Sequence, residues 1–195
     1  MAHARPERRH RYGEPVPTPP NQDPLVVLVD ETNHEVGVSD KLAAHQPPAL
    51  LHRAVSVLLH DDLGRILLQR RSPAKYHFAG LWANTACGHP MPGESVESAA
   101  RRRLAAELRT SAGPLTPVGA FVYQAVDPVS GLMEHELDHV LVGPVDGSVE
   151  PVPEEVAEVR WCSPAEVAAR IEARPETVVP WLALVLPYLG MPPGR

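Results

Sequence analysis

The stretch Asn84–Arg109, NTACGHPMPGESVESAARRRLAAELR, decides the fold. It starts as a loop, with Gly88, Pro90, Pro92 and Gly93, and turns helical from Glu94. Val96, Ala100, Leu104 and Leu108 recur at helical spacing and make one apolar stripe. Glu107 falls beside that stripe rather than on the solvent face, and a buried carboxylate is costly unless it is paired or bound to metal. The loop ahead of the helix, Ser72–Gly93, is long for a segment without structure of its own, and such loops in compact domains tend to carry function.

On either side of this unit the patterning is strand-like. Leu25–Asp30 is a short β-branched run, and Glu31–Val36 reads as a turn into a second short strand. Leu51–His60 and Arg65–Arg71 read as a hairpin through Asp61–Gly64. Leu115–Val126 and Met133–Gly143 are two further strands around the turn Asp127–Gly131. Val156–Cys162 is another, with Ser163 placed to cap a following helix, and a last helix is expected near Thr177–Leu189. Strands, one strong helix, strands, then helices predict an α+β fold with a mixed or antiparallel sheet flanked by helices. The domain is expected over residues 25–190, and residues 1–24, rich in Arg and Pro, read as a disordered tail.

The 195 residues fit one domain, and the net charge of −6 with no broad basic patch argues against a nucleic-acid partner. Two cysteines, Cys87 and Cys162, are too few for a disulfide framework, so the expectation is free thiols in the cytoplasm. No signal peptide or membrane-spanning run is visible, so no membrane partner is expected. Nothing in the sequence fixes an oligomeric state, and a monomer is the default.

Four groups of residues can carry chemistry. Glu134 and Glu136 alternate on a strand, so both carboxylates face one way and Asp138 follows them. Such a pair either holds a cation or forms a solvated strand face. His45 and His52 could join them at a divalent metal, although a lone histidine on an apolar strand is more often a hydrogen-bonded core residue. Cys87 lies on a loop between Ala86 and Gly88, an unusual place for a structural cysteine, with His89 two residues on. Cys162, at a strand end, reads as inert. Lys41, Arg71, Lys75 and Arg103 would suit a diphosphate if they converged, but solvated surface is the ordinary reading for each.

The series Gly88, Glu94, Arg102, Leu104, Glu107 reads as a degenerate Nudix box, a loop–helix module that binds magnesium and diphosphate. The segments Lys41–His45, Leu51–Ala54, Arg70-Arg71 with Lys75, Gly80–Pro90, Arg102–Leu108, Tyr123, Glu134–Glu136 and Arg160–Cys162 together resemble type 1 isopentenyl-diphosphate isomerase, from about Val26 to Trp181. The resemblance implies a Nudix-like fold and the interconversion of isopentenyl and dimethylallyl diphosphate, a small prenyl diphosphate substrate. It implies a metal site of His45, His52, His89, Glu134 and Glu136 for manganese, magnesium or zinc. It further implies a magnesium ion at Glu107 that bridges to the diphosphate, and diphosphate binding by Lys41, Arg71, Lys75 and Arg103. Cys87 and Glu136, with Tyr123 hydrogen-bonded near Glu136, would be the acid–base groups, and Trp161 would cover the hydrocarbon. Some positions depart from the pattern. Arg103 and Ala106 replace glutamates that Nudix hydrolases need for their metal ions, which speaks against hydrolysis. Arg109 replaces the glycine that usually ends the helix, so the loop after it is expected to differ. Tyr76-His-Phe78-Ala replaces a segment that is often Trp-Pro, so the pocket is expected to differ locally there.

Overall fold

The computed structural model describes residues 24–190. Except for Pro24, the expected tail lies outside the described residues. The elements in chain order are β1 (Leu25–Val29), β2 (Glu35–Asp40), α1 (Lys41–His45), β3 (His52–His60), β4 (Ile66–Arg71), β5 (Trp82–Ala83), β6 (Ala86–Gly88), α2 (Val96–Leu108), β7 (Ser111–Ala112), β8 (Thr116–Val126), β9 (Met133–Asp146), β10 (Val156–Cys162), α3 (Pro164–Ala173) and α4 (Leu182–Val185). The α+β class and the mixed sheet are as expected. Strand β3 is its axis: β9 runs parallel to β3 from His52 opposite Glu136 to His60 opposite Pro144. β8 is antiparallel to β9, and β10 is antiparallel to β4.

The expected β3–β4 hairpin forms, but only at its tip. These strands share one pair, His60 with Ile66, and then part. The loop after β4 fills the wedge, with β5 pairing β4 and β6 pairing β3. Thr85 bridges the gap. Its amide donates to the Val57 carbonyl (3.0 Å), its hydroxyl donates to the Leu67 carbonyl (2.6 Å), and the hydroxyl accepts from the Leu59 amide (2.8 Å). The backbone groups left unpaired by the splay are thereby satisfied. The result is that β6, with Cys87, is threaded into the sheet beside β3.

Helix α2 starts where Ser95 accepts from the Ser98 amide, and it packs Ala99, Ala100, Leu104 and Leu108 on Val55, Val57, Leu59 and Leu67. Arg103 and Glu107 share that buried face. Arg109 ends the helix with φ 45° and ψ 36°, the left-handed conformation, and its amide bonds to Ala105. The turn expected to change is therefore kept, with arginine in a conformation that costs a non-glycine residue about 1–2 kcal/mol. Ser163 caps α3 with a reciprocal Ser163–Glu166 box, as expected. The last predicted helix is broken instead: a 3-10 turn at Pro175–Thr177, the one-turn α4, and a second 3-10 turn at Leu186–Tyr188. Pro180 and Pro187 remove amide donors there and set those limits.

Candidate active site

The sheet register assembles the site. Glu136 on β9 stands opposite Tyr123 on β8 and opposite His52 on β3. Cys87 on β6 stands opposite Ser56, four residues beyond His52 on β3. One cavity is lined by Ser56, Cys87, Tyr123 and Glu136 together with Lys41, Arg71, Lys75, His77, His89, Arg103, Glu107, Glu134 and Trp181, and His52 lies fully buried behind Glu136.

At one end lie four imidazoles, those of His45, His52, His77 and His89. His45 Nδ1 donates to the Lys41 carbonyl at 2.6 Å, and His52 Nδ1 donates to the Leu50 carbonyl at 2.8 Å. Those bonds fix the tautomer and leave each Nε2 lone pair facing inward. His45 Nε2 faces Glu134 Oε2 at 3.0 Å, and His52 Nε2 and His89 Nε2 face Glu136 Oε1 at 3.5 and 2.8 Å. Nε2 of His45, Nε2 of His52 and Oε2 of Glu134 are buried without a hydrogen-bond partner. Lone-pair atoms this close repel unless a cation, a proton or a metal ion, lies between them. His45, His52, His89 and Glu136 each bring a ligand atom within 4.8 Å of the others, and His45, His77 and Glu134 form a second such group. This donor set, mixed imidazole and carboxylate, suits a divalent metal. His52 is thus not a core histidine satisfied by its neighbours, nor are Glu134 and Glu136 a solvated face.

The electrostatics agree. Burial, with the Lys41 charge, holds His89 well below its ordinary range, and burial takes His77 down to about 4, so both are neutral. Burial opposes charge on His45 too, but the Glu134 carboxylate outweighs it and raises that histidine. Burial and the neighbouring Glu134 push Glu136 up, but the His52 and His89 rings against its Oε1 outweigh them and bring it to about 2. Tyr123 is raised well above its ordinary value by burial and by Glu136, and its hydroxyl donates to Glu136 Oε2 at 2.7 Å. Burial pushes the Cys87 thiol up to about 12. Its sulfur lies 3.1 Å from Asn84 Oδ1 and 3.3 Å from the Trp181 indole nitrogen.

At the other end sit Lys75 and Arg103, whereas Lys41 lies beside the imidazoles, its carbonyl on His45 Nδ1. Arg71, Lys75 and Arg103 are buried, not the solvated surface that is ordinary for such residues, and Lys41 is half-buried. Arg103 pairs with Glu107 Oε1 at 2.5 Å and Glu155 Oε2 at 3.4 Å, Lys75 pairs with Glu155, and Gln69 donates to Glu107 Oε2 at 2.6 Å. A Cβ on Gly88 would lie 2.7 Å from Arg103 Cγ, so glycine is what lets this arginine pass.

One assignment is corrected by position. Trp161 does not reach the cavity: it lies on β10 opposite Leu67, packs with the α2 core, and has the Arg65 guanidinium 6.0 Å from its ring. Trp181 occupies the place expected of it, edge-on to Phe78 at 5.2 Å and 6.1 Å from Tyr123. Trp181 falls in the expected final helix, where no pattern marks it. Two further residues go unmarked in the sequence: His77, in a loop without periodicity, and Glu155, which the adjacent Glu154 disguises as a surface pair. Pro153-Glu-Glu-Val156 leading into a buried strand was the available signal for Glu155.

A family model for the NUDIX domain matches residues 50–182. The chain is 55% identical to an isopentenyl-diphosphate Delta-isomerase of Nocardia farcinica over 83% of its own length and 91% of that protein's. It is 47% identical to the isopentenyl-diphosphate Delta-isomerase of Streptomyces coelicolor, over 83% and 81%. The chain belongs to the isopentenyl-diphosphate Delta-isomerases, within the NUDIX domain family. Among solved structures, DR0079 from Deinococcus radiodurans superposes with a TM-score of 0.69 over 85% of this chain and 99% of that one. At 22% identity that likeness speaks for the fold alone. Among the described residues no helix is long and apolar enough to cross a membrane.

Proposed function

We propose that this chain interconverts isopentenyl and dimethylallyl diphosphate. The observation that carries the proposal is that a thiol and a carboxylate–phenol pair, Cys87 and Glu136 with Tyr123, face one cavity that has buried cations at its far end. Moving the double bond adds a proton at one terminus and removes one from the adjacent carbon, which needs two acid–base groups with the substrate between them. Toward dimethylallyl diphosphate, the Glu136–Tyr123 side delivers the proton to the methylene carbon and Cys87 removes the C2 proton. The tertiary cation between these steps lies against the Trp181 face and the negative groups. That turnover ends with Cys87 as thiol and Glu136 as carboxylate. One proton therefore has to return from the Cys87 side to the Glu136 side between turnovers.

His45, His52, His89, Glu134 and Glu136 would hold manganese, or magnesium or zinc, which when bound would orient Glu136 and tune its acidity. Glu107 would share a magnesium ion with the diphosphate. Lys41, Arg71, Lys75 and Arg103 would bind the diphosphate oxygens, with Lys75 and Arg103 changing partners from Glu155 to do so. The absence of Nudix-hydrolase glutamates at Arg103 and Ala106 supports isomerisation over hydrolysis.

The test is proton NMR of the protein with isopentenyl diphosphate and Mg2+ in deuterated water. Dimethylallyl diphosphate carrying deuterium is expected. Cys87→Ala should lose about 10²–10⁴-fold in rate while keeping its fold. Release of phosphate would overturn the proposal, and a fully active Cys87→Ala protein would overturn the role of Cys87.

A further inference from the structure

His77 is buried in the cavity wall, on the loop after β4, and belongs to none of the roles above. Its Nε2 lies 2.9 Å from Glu134 Oε1, while the other oxygen, Oε2, faces His45 Nε2 at 3.0 Å. We infer that His77 is a positioning residue for the metal centre: it donates through Nε2–H to Oε1 of Glu134 and so aims Oε2 at the point where the inward nitrogens converge. The inference rests on the reading of the His/Glu cluster as a metal site.

The tautomer follows from burial. His77 Nδ1 has no partner. With the hydrogen on Nδ1, the ring would bury an orphan N–H and also oppose its Nε2 lone pair to a carboxylate oxygen. With the hydrogen on Nε2, only a bare acceptor is left unpaired, the cheaper arrangement. The ring is also held from behind. Arg71 donates from Nη2 to the His77 carbonyl (3.1 Å) and from Nε to the Phe78 carbonyl (3.0 Å). The Phe78 amide donates to Asp127 Oδ2 at 3.0 Å, across to the β8–β9 turn. A donor on a segment fixed at three points sets the carboxylate angle before any ion arrives. Metal-ligating groups are commonly oriented by hydrogen bonds of this kind, and their loss weakens metal affinity.

The experiment is Mn2+ titration of the chelator-treated full chain by calorimetry, for wild type, His77→Phe and His77→Gln. Phenylalanine keeps the ring volume without a donor, and glutamine places an amide N–H where imidazole Nε2 was. His77→Phe is expected to weaken Mn2+ binding about 10–100-fold, and His77→Gln to stay within roughly threefold of wild type. Wild-type affinity in His77→Phe would overturn the inference, as would His77→Gln binding as weakly as His77→Phe, since the imidazole and not its N–H would then matter. A wild-type protein that binds no Mn2+ would remove the metal reading beneath it, so the two failures are distinguishable.

Discussion

The two ends of the cavity bury charge in opposite ways. At the His/Glu end, acceptors face acceptors, and His45 Nε2, His52 Nε2 and Glu134 Oε2 have no hydrogen-bond partner. At the far end the charges are cross-paired: Lys75 with Glu155, Arg103 with Glu107 and Glu155, and Glu107 again with Gln69. The first end is incomplete and gains by taking up a cation. The second is complete and has to give up an ion pair to take up an anion. Cation binding should therefore add much to stability, and diphosphate binding little, because at the second end one buried partner replaces another.

The largest effect should come from breaking the self-paired end. Glu155→Gln leaves Lys75 and Arg103 buried with one countercharge fewer, which costs about 3–5 kcal/mol, or roughly 6–20 °C in Tm for a chain of this size. In the same variant the vacated partners are available to an anion, so inorganic diphosphate should raise Tm more than it does in wild type. Equal diphosphate shifts in both proteins would erase the proposed contrast.

Next in size is the metal end. Mn2+ at about one hundred times its dissociation constant should stabilise the chelator-treated protein by about 2.7 kcal/mol, or roughly 5–11 °C. Identical melting curves with and without Mn2+ would mean that the facing lone pairs are bridged by protons alone.

The difference between the two ends also governs what the sequence discloses. Most of the His/Glu end was legible: alternation on β9 puts Glu134 and Glu136 on one face, and the NTACGHP motif sets Cys87 near His89, whereas His77 sits on an aperiodic loop that marks nothing. The fold class was legible too, from α2 and the strand patterns. The cation end was half legible. Glu107 showed beside the helical stripe, but Arg103 is four residues before it and is drawn inward by that carboxylate, a pairing that no hydropathy pattern marks. Trp181 comes to the cavity, and Glu155 to the cations Lys75 and Arg103, through tertiary packing alone. The β3–β4 splay was invisible because its cause, the Thr85 hydroxyl between Leu59 and Leu67, is a long-range hydrogen bond. The exchange of Trp161 for Trp181 has the same root: both are tryptophans near the chain end, and only the sheet order shows which faces the cavity.

One loop spans both ends, carrying Lys75 to the cations and His77 to Glu134, and Asp127 is its anchor on β8–β9. Asp127 accepts from the amides of Phe78, Val129 and Ser130 and from the Ser130 hydroxyl. Burial pushes its carboxyl up, but the Ser130 hydroxyl and these amides outweigh burial and hold it below the ordinary 3.8. A lowered carboxylate contributes its full stability above the ordinary value and loses it as the pH falls through the folded-state value. Asp127→Ala should cost about 1–3 kcal/mol near neutral pH. Thermal melts in a pH series should show that gap closing as the pH falls below 3.8, where wild type loses the same interaction. Because the anchor serves the whole loop, the variant should weaken Mn2+ and diphosphate binding by similar factors, each less than about tenfold and smaller than the effect of His77→Phe on Mn2+ alone. A selective loss at one end would show that Lys75 and His77 are held independently, and that the loop does not tie the two ends together.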